Sequence, residues 1–359
     1  MKVIFICTRS ITFNTFLKSQ AEYFIEKGID VVVACSDSKN LNCDKKLKYQ
    51  IDFPKTLFQL FNFIRLIKIF FQILKLVKYN DSCLFYLHTP VASHLFRIFT
   101  FFKKLKIVYF VHGFRFTSKT NLLKSSIYRM LEKILSIKTD FFITINSEDY
   151  NYVVHNLLDK TKCQKINGVG LELKSNQKKI KIKKKYRIKK ILVIAAYKKE
   201  KGYYELLKLA ERINSKKIDI ECFGDGNYDK FNLIKFKKKL KNISFNKFNS
   251  NLDRIITNYD ILLHLSKREG LPVSLIQSLS KGLPVICYNI RGNNDLIKDN
   301  INGMFVSSYK EVLGKILYLN INQNFFQKLK NNAIKSINIS FSKEEINKKI
   351  IKILKKIYL

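Results

Sequence analysis

Short apolar strands alternate with amphipathic helices along this chain, and the alternation runs twice. In the first run the spacing predicts strands at 2–7, 30–35, 83–87, 107–111 and 141–145, with helices at 14–27, 92–104 and 122–137. In the second it predicts strands at 191–195, 218–223, 243–245, 261–265 and 284–288, with helices at 203–213, 227–240, 252–258 and 273–280. Strands separated by helices pair in parallel, because each connection must cross back over the sheet. Between the runs, residues 174–190 (KSNQKKIKIKKKYRIKK) are polar, strongly basic and aperiodic, which reads as a linker.

The fold class is therefore α/β, with two Rossmann-like domains at 1–173 and 191–341. A terminal helix at 342–359 either completes the second domain or crosses back to brace the first. The length of 359 residues exceeds what one compact core usually serves. Ligands of such sheets bind outside the carboxyl ends of the strands. His88, His112 and Gly113 fall at such ends.

The segment SKREGLPVSLIQSLSKGLPVI (266–286) carries the clearest chemical signal. It places Glu269 and Gly270 at the end of a strand, with Leu271, Pro272 and Val273 opening a helix. Proline early in a helix is a start signal, since its missing N–H would be unpaired there anyway. A helix N-terminus offers free N–H groups and partial positive charge to a phosphate. A carboxylate beside it accepts hydrogen bonds from sugar hydroxyls, so the pair suits a nucleotide-sugar site.

The net charge is +39, from 67 Lys and Arg against 28 Asp and Glu. Such an excess invites anionic partners. The chain is also rich in Lys, Asn, Ile, Phe and Tyr and has no Trp, the mark of an AT-rich coding sequence, which accounts for much of the charge. The seven cysteines form no CxxC pair and are odd in number. They read as buried thiols in a reducing cytoplasm rather than as a disulfide framework or zinc site. MKVIFICTRS is too short an apolar run for a signal peptide and reads as the first strand. Residues 57–77 are the most apolar stretch, but Arg65, Lys68 and Lys75 argue against a transmembrane helix. Their helical period suits a core-packed helix or one lying on an anionic membrane surface.

Other candidates are individually weaker. His112-Gly113 closes a strand where the glycine admits a close ligand. Lys199 and Lys201 follow the first strand of the second run, within reach of a diphosphate. Gly224 and Gly226 make a tight turn at the next strand end, near the nucleotide. DxD, HExxH, GxSxG and GxxxxGK[ST] patterns are all absent, so no metal site or other cofactor is expected.

Taken in order, IVYFVHGFRF (107–116), TDFFITINSEDY (139–150), NGVGLE (167–172), EKGYYELL (200–207), GDG (224–226), REGLPVSLIQSLSKGLPVI (268–286) and RGNNDLI (291–297) resemble the landmarks of the family 4 glycosyltransferases. The bacterial capsular and exopolysaccharide members are the nearest in pattern. The resemblance implies a GT-B fold, a cleft between the domains that closes around substrate, and sugar transfer with retention of anomeric configuration and without a metal. It implies a nucleotide diphosphate donor, UDP-linked, and a polyprenyl-diphosphate-linked glycan acceptor. Glu269 matches the first Glu of the family's E-x7-E signature, which faces the donor sugar. Lys201 matches the lysine on the donor diphosphate, and His112 the histidine on the transferred sugar. Three positions depart from the pattern: Gln277 stands for the second Glu, Ala196 for an arginine, and Thr8-Arg9-Ser10 for a glycine pair. A glutamine still accepts from a ribose hydroxyl, without the charge-assisted bond.

The expectation is a cytoplasmic enzyme, peripheral on the inner face of the plasma membrane. A sugar-nucleotide epimerase of the same fold would need further acid and base groups in the cleft, where carboxylates are few. A nucleic-acid-binding protein would carry a recognisable module or a stripe of charge. The sequence has neither, and no nucleic-acid partner is expected.

Overall fold

A computed structural model describes residues 1–55, 58–80, 82–117, 120–173, 187–214, 217–227, 240–248 and 252–359. The chain divides into two compact units, Met1–Gly170 with Ser342–Leu359, and Leu171–Phe341. Most of the expected linker and of the helix at 227–240 lies outside the described residues.

The first unit holds a parallel sheet of seven strands. These are β1 (Lys2–Ile6), β2 (Asp30–Cys35), β3 (Lys48–Gln50), β4 (Leu84–His88), β5 (Lys106–Val111), β6 (Phe141–Thr144) and β7 (Cys163–Lys165). Their order is β3-β2-β1-β4-β5-β6-β7. β1, β4 and β5 read as near-continuous apolar runs because helices cover both faces of the sheet. The core gathers Ile4, Ile6, Phe85, Leu87, Tyr109, Val111 and Phe142. The terminal helix Lys343–Tyr358 belongs to this unit. Ser342 caps it by accepting from the Glu345 N–H, and buried Asn347 accepts from Gln20 at 3.2 Å.

The second unit holds β8 (Lys190–Ile194), β9 (Asp219–Gly224), β10 (Ile243–Lys247), β11 (Ile261–His264), β12 (Val285–Tyr288) and β13 (Gly303–Val306). Their order, β10-β9-β8-β11-β12-β13, repeats that of the first six strands. Both sheets are doubly wound, with the strand order reversing between β1 and β4 and between β8 and β11.

Several boundaries differ from expectation. Residues 187–190 are not linker. Ile188 is buried, its N–H donates to Asn320, and the Lys189 and Lys190 N–H groups donate to Asp260. The helix expected at 92–104 is Pro90–Phe99, and the Thr100 hydroxyl bonds back to the Phe96 carbonyl where it stops. The first helical stretch starts at Ser10–Thr12 and passes through a π segment, Phe13–Leu17, before Lys18–Glu26. The helix Phe63–Lys78 does two things at once. It buries Ile69, Ile73, Leu76 and Val77 and exposes Phe63, Ile64, Ile67 and Phe71.

One buried ionic cluster ties the helices to β5. Arg97, with no exposed surface, pairs with Glu132 of the helix Leu122–Ser136 at 2.9 Å. Its guanidinium lies 4.6 Å from the Tyr109 ring centroid. His94 reaches the other Glu132 oxygen at 2.7 Å. Burial pushes the Glu132 pKa up, but Arg97 and His94 outweigh it and hold it near about 2. Replacing Arg97 by Met strands this carboxylate, and urea unfolding is expected to show a loss of about 3–5 kcal/mol. The Glu132 pKa lies below its ordinary 4.5, so its contribution is present above that pH and lost as pH falls toward 2. The acid limb of the stability profile should therefore flatten in Arg97→Met.

Candidate active site

In the second unit the chemistry gathers at the ends of β8 and β11, the two strands that flank the switch point. Lys201 sits in a single 3-10 turn, Lys199–Lys201, closed by Gly202 in the left-handed conformation at φ 79°. A Cβ on Gly202 would stand 2.2 Å from the Leu265 carbonyl oxygen, so only glycine lets this loop rest on the end of β11. The Lys267 N–H donates to the Glu200 carbonyl and fastens the same contact. Lys201 Nζ then meets Glu269 Oε1 at 2.5 Å. His264, buried at the end of β11, places Nε2 3.2 Å from that oxygen, in reach of an ion pair but poorly aligned for a hydrogen bond.

A third loop holds the Glu269 backbone. Arg291 Nε donates to the Glu269 carbonyl at 2.9 Å. Gly292, at φ 79°, leaves no room for a side chain, since a Cβ would lie 2.2 Å from the Gly270 carbonyl oxygen. Glu269 is thus fixed at both ends. Burial pushes its pKa up, but His264 and Lys201 prevail and lower it to about 2. The group is a carboxylate throughout the physiological range.

Gly270 and Leu271 lead into the helix Val273–Ser280, with Pro272 as its N-cap rather than inside its first turn. The Pro272 carbonyl accepts from the Leu275 and Ile276 N–H groups. Among the described residues nothing accepts from the Val273 or Ser274 N–H, which leaves a pair of donors at the positive end of the helix. Gln277, half-buried, lies one turn on from Val273. Gly224 ends β9 packed against the Ala195 carbonyl, and Gly226 has φ 113° beside Tyr197. The Tyr197 N–H donates to the Asp225 carbonyl at 2.8 Å, so GDG braces the loop that carries Lys201. Lys199 is exposed and joins no ion pair among the described residues, so the structure does not bring it to the cluster.

In the first unit, His112 follows β5 and Gly113 turns the chain with φ 126°. His88, wholly buried at the end of β4, places Nδ1 3.1 Å from His112 Nε2. Burial lowers the His112 pKa to about 4 and drives that of His88 well below its usual value. Both rings are neutral at pH 7. Thr89, next in the chain, is β-branched yet holds φ 64°, and its hydroxyl accepts from the Thr8 N–H and shares a hydrogen bond with the Thr8 hydroxyl. Sequence reading missed His264, Arg291 and the pairing of His88. Their signal was position alone: His264 and His88 end strands, and Arg291 opens the RGNNDLI landmark.

Among the described residues, no group of three His, Cys, Asp or Glu side chains is placed to hold a metal ion. No helix among them is long and apolar enough to cross a membrane.

Each unit has its counterpart in a family of known enzymes. Residues 2–147 match the family model "Glycosyl transferase 4-like", and residues 174–336 match "Glycosyl transferases group 1". The chain is a glycosyltransferase of GT-B fold. An uncharacterized 41.2 kDa protein from the cps region of Klebsiella pneumoniae is 28% identical over 78% of this chain and 79% of its own length. The UDP-Gal:alpha-D-GlcNAc-diphosphoundecaprenol alpha-1,3-galactosyltransferase of Escherichia coli is 24% identical over 77% of this chain and 76% of its own. Among solved structures, Anabaena HepE in complex with UDP aligns with TM-score 0.74 and 14% identity over 99% of this chain and all of its own.

The Lys201–Glu269 pair makes a direct claim on stability. Lys201→Met leaves a largely buried carboxylate without its nearer partner, at a cost expected to be about 2–4 kcal/mol once partial exposure is allowed for. Adding Glu269→Gln should recover part of that loss. Urea unfolding of wild type, the two single variants and the double variant measures the coupling, and additive losses would contradict it.

Proposed function

We propose that the enzyme transfers a sugar, with retention, from a UDP-linked donor to a lipid-diphosphate-linked glycan in surface polysaccharide synthesis. The observation that carries this reading is the fixed Lys201–Glu269 pair beside the free N–H groups of Val273 and Ser274. A diphosphate leaving group gathers negative charge as the sugar departs. A lysine and a helix N-terminus held in place stabilise that charge without reorganising. Glu269, ionised and clamped by Arg291 and Lys201, accepts hydrogen bonds from hydroxyls of the donor sugar and orients it. In the first unit, His112 hydrogen-bonds the transferred sugar. Neither role calls on a metal ion or a cofactor.

The donor and acceptor classes draw on the relatives: the Escherichia coli enzyme is named for UDP-Gal and a diphosphoundecaprenol acceptor, and HepE was crystallised with UDP. Gln277 receives the ribose through its amide oxygen. Gln277→Glu would add charge to that bond and is expected to tighten UDP binding by roughly tenfold, read by calorimetry.

An anionic membrane surface suits the first unit. On the helix Leu122–Ser136, Leu123, Ile127, Met130 and Ile134 share one exposed face, with Lys124 and Lys133 beside it. The helix Phe63–Lys78 adds exposed Ile64, Ile67 and Phe71 among Arg65, Lys68 and Lys75. The double change Ile127→Glu, Met130→Glu is expected to abolish cosedimentation with phosphatidylglycerol vesicles and to spare UDP binding.

Turnover decides the main reading. Purified enzyme should release UDP from a UDP-sugar, faster with a lipid-diphosphate acceptor, and Glu269→Ala should slow this by roughly 10²-fold. No turnover with any nucleotide sugar, or a Glu269→Ala variant equal to wild type, would refute it.

A further inference from the structure

His88 is the largest unused piece of chemistry near a site residue. It has no exposed surface, lies parallel to the Phe5 ring at 5.6 Å and 10°, and touches the rings of Tyr86 and Phe110. The strained backbone of Thr89, held by Thr8, closes off the residue that follows. The ring is therefore fixed in orientation. One nitrogen, Nδ1, meets His112 Nε2 at 3.1 Å, and the other, Nε2, is buried with no hydrogen-bond partner among the described residues.

Two neutral rings sharing one hydrogen bond have two arrangements. In one, His112 Nε2–H donates to His88 Nδ1. The single proton of His88 must then sit on Nε2, where it points at nothing. In the other, His88 Nδ1–H donates to His112 Nε2, and the buried atom left over is a bare lone pair. A buried N–H without an acceptor is the rarer and costlier defect of the two. The second arrangement prevails. It obliges His112 to carry its own proton on Nδ1, which no other described residue engages.

We propose that His88 is a positioning residue that locks His112 in the Nδ1–H tautomer, so that His112 presents an N–H donor, not an acceptor, to a hydroxyl of the transferred sugar. The sugar-facing part rests on the function proposed above; the tautomer itself does not. A free imidazole favours the Nε2–H form, so the lock has a signature of its own. It also gives the apolar surroundings a purpose. A protonated His112 would carry a proton on Nε2 as well and reverse the shared hydrogen bond, and desolvation keeps that form out at working pH.

The chain has five histidines, few enough to assign by substitution in long-range 1H–15N spectra of the full-length, 15N-histidine-labelled protein near pH 7. His112 is expected to show a protonated Nδ1 and a lone pair on Nε2. His88→Phe keeps the flat ring and removes the donor, and His112 should revert toward the Nε2–H form. His88→Asn sets an amide N–H where Nδ1 stood and should restore the Nδ1–H form. With UDP-sugar, kcat should fall roughly tenfold or more in His88→Phe and recover in His88→Asn, with UDP affinity level across the series. An Nε2–H tautomer for His112 in the wild type overturns the proposal, even if a variant fails to fold. So does a His112 signal indifferent to His88→Phe. A tautomer change in a protein that turns over no nucleotide sugar supports the lock and overturns the transferase reading instead.

Discussion

Parallel strand pairing is the constraint on which the rest depends. Every described ladder in both sheets runs parallel, so in each unit all strands deliver their carboxyl ends to one edge. A sheet of this kind must be wound outward from a central pair, and the loops leaving that pair diverge to opposite faces. In the second unit the central pair is β8 and β11. The loop after β8 brings Lys201 and the loop after β11 brings Glu269. Two residues 68 positions apart thus meet at 2.5 Å because the strands that carry them are hydrogen-bonded neighbours. Glycines at 202 and 292 remove the side chains that would hold the loops apart.

The same framework handles charge in opposite ways in the two units. Glu269 is buried and stays ionised, because Lys201 and His264 face one oxygen and Arg291 holds the carbonyl behind it. His88 is buried and His112 half-buried, and both stay neutral because desolvation disfavours the imidazolium. In both units burial alone would neutralise the group, and only Glu269 has neighbours that reverse it. A fixed anion suits orienting hydroxyls through their protons. A neutral ring suits a single directed hydrogen bond.

Much of the fold was legible because alternation of strand and helix is a coarse signal that survives local error. The helices Tyr203–Ile213 and Val273–Ser280 were read to the residue, each marked by glycine or proline at its start. The stretch from 301 to 341 was not read at all. It holds β13, only four residues long, then Tyr309–Ile321 and Gln323–Ser336, two helices with no break residue between them. The edge strands β3 (KYQ) and β7 (CQK) are short and polar, so no apolar run announces them. At the site, Glu269, Lys201 and the helix start were legible because each lies in a compact motif. His264 and Arg291 were not, because what makes them matter is the packing of three loops that sequence distance conceals.

Composition and structure also separate two meanings of the positive charge. A coding bias toward Lys, Asn and Ile supplies lysine to surfaces and isoleucine to cores, and it needs no partner to explain it. The same bias has no reason to leave apolar side chains facing outward in register. On Leu122–Ser136 four large apolar residues recur at helical spacing on the exposed side, while the opposite side buries Ser125, Glu132, Leu135 and Ser136. Burying a mostly polar set and exposing an apolar stripe inverts what a soluble helix does for its own unit. On the membrane reading proposed above, the lysines beside the stripe acquire meaning from it: hydrophobic insertion would supply the attachment, and the nearby charge would select an anionic surface.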